Sequence, residues 1–223
     1  MHNFTSVFLL VYAALFPIIN PIGGAPIFLG LTSSRTESER NALARGVAIN
    51  SVLLIAGSMF VGSHILVFFG ITLPIVRIAG GLVVIAFAWK LLQTGVAAEA
   101  QGSTAVEQHH APIDSFYPLT MPLTVGPGTI SVAIALGSQR PGGAYDFASL
   151  TLLSGVIAGI IATALTIYVC YRFGERVIAL LGKNGTNVVV RLSAFILLCI
   201  GLQILWTGYS SLTGVGTLAP PSG

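Results

Sequence analysis

The 223-residue chain is 54% apolar and 8% charged, with a mean hydropathy of +0.90. A soluble domain of this length has no interior large enough for that much apolar surface, so the main solvent of the chain is lipid. The net charge of +3 would suggest a nucleic-acid partner in a soluble protein; in a membrane chain none is expected, and the placement of the basic residues becomes the informative part.

In chain order the apolar residues gather in six runs, 4–31, 47–69, 71–92, 116–136, 147–169 and 188–212, each near or above the roughly 20 residues that cross a bilayer as a helix. Nothing basic precedes Phe4 and no small-residue cleavage site follows, so the first run is expected to stay in the membrane. That run has 28 residues, and as one helix it would reach roughly 42 Å against a hydrocarbon core of about 30 Å. It also contains Pro17, Pro21 and Pro26, each of which removes a backbone hydrogen bond and clashes with the turn before it. A broken span is expected there.

Residues 96–115 exchange the apolar pattern for Ala, Gln, Gly, Ser, His and acidic residues and read as a cytoplasmic linker, and the uncharged Gly/Pro-rich tail 213–223 reads as flexible. The two halves around the linker, 1–95 and 116–212, resemble each other. A slide of 101 residues lays Phe16-Pro-Ile-Ile-Asn-Pro-Ile-Gly-Gly-Ala-Pro26 on Tyr117-Pro-Leu-Thr-Met-Pro-Leu-Thr-Val-Gly-Pro127, and all three prolines coincide. With small changes of offset, Gly70 and Arg77 pair with Gly182 and Arg191, and Thr94-Gly95 with Thr207-Gly208. Three spans per half is an odd number, so the second copy enters from the opposite face. The expected fold is therefore an all-α integral membrane protein of six transmembrane helices, built as two inverted three-helix repeats with the first helix of each repeat broken.

Broken backbone at membrane depth leaves N–H and C=O groups unpaired, which is tolerated only where protein or a water-filled cavity satisfies them. Matching breaks in two halves are the sequence mark of a transporter site. The candidate substrate-binding residues are Asn20, Pro21, Gly23, Gly24 and Pro26 in one half, and Thr120, Pro122, Thr124, Gly126, Pro127 and Gly128 in the other. Prolines can also serve only to kink a helix for packing, and Asn20, Thr120 or Thr124 can cap the helix that resumes after each break.

If the connections alternate sides, Arg35, Arg40, Arg45, Lys90, Arg172, Arg176, Lys183 and Arg191 fall on one face, and Arg77 and Arg140 on the other. Cytoplasmic loops carry the basic excess, so both termini are expected outside the cytoplasm. The acids Glu37, Glu39, Glu99, Glu107, Asp114, Asp146 and Glu175 all lie in connections or at span ends, leaving His64 as the single candidate proton carrier, with an interfacial role as its default. Arg77 and Arg191 are read as anchors of span ends, Cys170 and Cys199 as small packing residues, and Ser58-xxx-Gly62 and Gly155-xxx-Gly159 as close helix contacts. An intramembrane enzyme would need a nucleophile with its base, or a metal set, within the spans; neither is visible, and His109-His110 alone is too little for a metal site. No enzyme activity, cofactor or metal is expected, and a membrane scaffold without cargo stays as an alternative. The oligomeric state is left open.

Three segments, Leu15-Phe-Pro-Ile-Ile-Asn-Pro-Ile-Gly-Gly-Ala-Pro-Ile-Phe-Leu29, Phe69-Gly-Ile with Arg77-Ile-Ala-Gly-Gly81, and Met121-Pro-Leu-Thr-Val-Gly-Pro-Gly-Thr-Ile-Ser131, resemble in order and spacing the signature of the MarC family of bacterial inner-membrane proteins. The resemblance covers nearly the whole chain and implies transport of small neutral amino acids such as alanine and glycine. The residues permit that cargo: half-helix N-termini offer N–H groups to a carboxylate, unwound carbonyls suit an ammonium, and glycines allow close approach to the backbone.

Overall fold

The structure, a computed structural model, describes residues 4–102, 114–138 and 150–214. These residues are helix and turn, with no strand among them beyond an isolated bridge between Asp114 and Pro118. Arg140, Asp146, Glu107, His109 and His110 lie outside the described residues, as do most of the linker and the tail beyond Gly214.

Helices α1 (Phe4–Ile19) and α2 (Pro21–Leu31) meet at Asn20 with a bend of 42°. Helix α3 (Glu37–Phe68) starts with a capping box, in which the Thr36 hydroxyl accepts from the Glu39 N–H at 3.3 Å and the Glu39 carboxylate accepts from the Thr36 N–H at 2.8 Å. It ends at Gly70, whose φ of 67° is a left-handed turn that glycine enters without strain, and α4 (Leu73–Gly102) follows. A six-residue π-helical turn (Leu119–Thr124) then leads to α5 (Pro127–Ser138). Helix α6 (Leu150–Thr213) is two arms rather than one rod, because Gly182 has φ 66° and ψ 176°, a combination essentially reserved to glycine.

Four segments are long and apolar enough to cross a membrane: α3, Leu73–Gln93 of α4, and Leu152–Arg176 and Gly185–Thr213 in the arms of α6; the bent pair α1–α2 makes a fifth. By length and apolarity the described residues thus hold four of the six expected spans, or five with the bent pair, and the remaining run, 116–136, holds no single helix of that length. The run 116–136, expected as the broken first span of the second half, holds the π-helical turn and the 12-residue α5, which alone reaches about 18 Å. Pro118, Pro122 and Pro127 each withhold an N–H, and Met121 between them has the extended angles φ −116° and ψ 123°, so a continuous ladder cannot form.

Small residues bring the helices together. Along the first arm of α6, Gly155 and Gly159 face Val7 and Val11 of α1, the Thr166 hydroxyl lies 3.1 Å from the Tyr12 hydroxyl, and Gly174 faces Ala25 and Leu29 of α2. The contact residues rise together, so this arm runs alongside α1 and α2 in the same direction. The second arm pairs with α4 in the opposite direction, Leu91 packing near Val190 and Ala194, Val84 and Ala88 near Leu197, and Pro74 near Gly208. The main core, which includes Leu15, Phe28, Ile55, Ala133, Ile167 and Tyr171, lies between α1, α2, α3, α5 and the first arm. Only 22–33% of each long span's apolar window is buried, so most of the side chains, including Leu53, Val67, Leu165 and Val188, turn outward as a surface suited to lipid. An ion pair of 2.6 Å between Arg40 and Glu175 brings the start of α3 and the end of the first arm to one end of the bundle.

Candidate functional site

The first break is closed by its own residues. Asn20 is left-handed, with φ 49° and ψ 57°, a conformation that asparagine tolerates better than most residues. Its N–H still bonds the Phe16 carbonyl at 3.0 Å, while its side-chain oxygen accepts from the Gly23 N–H at 3.2 Å. Pro21 begins α2 and has no N–H to satisfy. A side chain at Gly23 would collide with the Asn20 amide, so that glycine makes room for the cap. Pro21, Gly23 and Pro26 are all buried.

The second break is wider. The Tyr117–Pro118 and Met121–Pro122 peptide bonds are cis. The Thr120 hydroxyl donates to the Ser115 carbonyl and the Thr124 hydroxyl to the Leu119 carbonyl, both at 2.7 Å. Both threonines therefore serve backbone freed by the irregular turn. Gly126, just before α5, has no side chain with which to cap it. The first bond of the α5 ladder runs from the Ile130 N–H to the Gly126 carbonyl at 3.1 Å, so the N–H groups of Gly128 and Thr129 precede the ladder.

Tyr171, which the sequence reading passed over, joins the two breaks. It comes from the first arm of α6, is 1% exposed, and stacks on Phe28 of α2 with ring centroids 4.6 Å apart. Its hydroxyl lies 2.8 Å from that of Thr124; because Thr124 spends its proton on Leu119, Tyr171 is the donor. A Cβ on Gly24 would stand 2.9 Å from the same tyrosine oxygen.

Beside these breaks lies a cavity of about 90 Å³. Ile18 and Ile19 line it from the end of α1, residues 122–124 and 126–129 from the second break, Val83, Val84 and Phe87 from α4, and Leu197 from the second arm. Of the predicted residues, Pro122, Thr124, Gly126, Pro127 and Gly128 are on its wall; Asn20, Pro21, Gly23, Gly24, Pro26 and Thr120 are not. Thr129 is on the wall and was not singled out from sequence, although its place in the first turn of a helix that resumes after Gly126-Pro127-Gly128 is a readable signal. Among the described residues no three His, Cys, Asp or Glu side chains gather as a metal site.

A helical bundle of apolar spans with two broken segments defines the chain as a multi-pass integral membrane protein. The profile described as the MarC family integral membrane protein matches residues 5–213, and the chain belongs to the MarC family. It is 32% identical over 217 residues to the UPF0056 membrane protein YvbG of Bacillus subtilis, covering 93% of this chain and 96% of that one. It is 30% identical to the UPF0056 inner membrane protein MarC of Salmonella arizonae, covering 87% and 90%, and 28% identical to the UPF0056 membrane protein YhcE of Escherichia coli K12, covering 91% of each. No solved structure matches the chain.

Proposed function

We propose that the chain is a carrier of small neutral amino acids, of the size of alanine or glycine, in a bacterial inner membrane with both termini outside the cytoplasm. The observation that carries this reading is the cavity bounded on one side by the end of α1 and on the other by the start of α5, where both broken segments contribute wall. Val84 and Leu197 on that wall lie close to halfway along the windows Leu73–Gln93 and Gly185–Thr213, the depth at which carriers of this design hold cargo.

Inverted repeats are supported by three correspondences. Helices resume at Pro21 after Asn20 and at Pro127 after Gly126. Gly70 and Gly182, with φ 67° and 66°, stand between the second and third helical elements of each half. Gly62 of α3 faces Ile134 of α5, and Gly174 of the first arm faces Leu29 of α2, a contact that swaps halves when the copies are exchanged. Alternating access then amounts to one half rocking against the other around the cavity.

Counterflow of labelled alanine and glycine in proteoliposomes tests the reading. Exchange by the wild type is the expected result; cleavage of a substrate would make the chain an enzyme, and inertness toward every small neutral amino acid would favour a scaffold. A cytoplasm-only reporter fused after Gly223 should be silent, since the eight basic residues on one face against two on the other set the orientation.

A further inference from the structure

We infer that the two broken segments are not equivalent toward the ligand: a carboxylate seats on the amino-terminal end of α5 with Thr129 as its selecting side chain, while the corresponding end of α2 takes no part. The assignment rests on the carrier reading for the identity of the cargo. Its physical basis is the fate of the free N–H groups at each helix start. At α2, proline removes the first, the Asn20 side chain occupies that of Gly23, and Ile22, whose N–H also precedes the ladder, is not on the cavity wall. At α5, Gly126 offers no cap, and Gly128 and Thr129, whose N–H groups precede the ladder, both line the cavity.

Thr129 is an independent pointer to a ligand. It is 2% exposed and lines the cavity, and its hydroxyl has no hydrogen-bond partner among the described residues. Thr124, the other polar side chain on the wall, is already engaged by Leu119 and Tyr171. A hydroxyl on the cavity wall that no protein group engages can donate to a carboxylate, together with the two N–H groups at the positive end of the helix dipole. The rest of the wall, Ile18, Val84, Phe87 and Leu197, suits a short apolar side chain.

The test is a melting titration of purified protein in detergent with L-alanine, L-alaninamide and propionate, on the wild type, Thr129→Val and Thr129→Ser. L-alanine, and propionate more weakly, should raise the melting midpoint of the wild type, and L-alaninamide should not. Thr129→Val should weaken both carboxylates by about tenfold, the loss expected for one hydrogen bond to a charged group, and Thr129→Ser should retain them. Equal carboxylate binding by Thr129→Val, equal binding of L-alaninamide and L-alanine, or no carboxylate binding by the wild type would overturn the assignment. If Thr129→Val does not fold, the alanine and alaninamide comparison on the wild type decides. Absent counterflow with carboxylate binding intact would instead sink the carrier reading and leave this assignment standing.

Discussion

The break at Asn20 and the break before α5 begin from similar sequence and end as different devices. At the first, one residue turns left-handed, caps the next helix with its own side chain, and leaves a tight corner. At the second, ten residues pass through cis prolines and a π-helical turn, two threonines serve the loosened carbonyls, and the resumed helix starts from a glycine. A corner that satisfies itself is scaffold. A corner that leaves donors on a cavity wall is available for binding, and Tyr171 ties the two at a fixed distance.

The largest expected effect that sharpens this contrast is at Asn20. Asn20→Ala loses a cap worth about 1 kcal/mol and forces alanine into a left-handed conformation at a further cost of about 1–2 kcal/mol, whereas Asn20→Gly should cost only a few tenths of a kcal/mol. Melting of both variants measures this, and equal losses would mean that backbone conformation is not what Asn20 supplies. Next comes the tie between the breaks: a double-mutant cycle of Tyr171→Phe and Thr124→Val should give a coupling of about 0.6 kcal/mol, typical of a hydrogen bond between membrane helices, and a coupling of zero would sever the link. The smallest stability effect should follow Gly126→Asn, which gives α5 the cap that α2 has. Stability should change by less than about 0.5 kcal/mol, since the gain is offset by the Pro122 carbonyl 3.1 Å from the new Cβ, yet carboxylate-induced stabilisation should vanish. Its survival would break the comparison.

Much of the architecture was legible because apolar length and proline position are direct physical constraints. Pro17, Pro21 and Pro26 in an overlong run required a break, and the structure bends there. The slide of 101 residues aligned prolines rather than roles: Pro26 lies inside α2, and it is Pro21 that shares with Pro127 the start of a resumed helix. Hydropathy also could not distinguish a span from a turn with a short helix, since residues 116–136 are apolar either way. Tyr171 escaped because the fifth run was ended at Val169, before the tyrosine and Arg172, while the helix continues past both. The cap at α2 was one of two roles readable for Asn20; the open end of α5 was not, because what distinguishes a glycine before a helix is the space around it.

The turn at Gly70 bears on how the chain enters its membrane. Phe69, Gly70, Ile71 and Thr72 connect α3 to α4 without a charged residue, and each Asp, Lys or Arg carried through the bilayer centre would add about 2.5–3.5 kcal/mol. A newly made pair of helices with such a tip can insert as one hairpin, turn first, with its backbone hydrogen bonds already formed. Placing an arginine at Ile71 would burden that passage while touching nothing in the finished bundle's core.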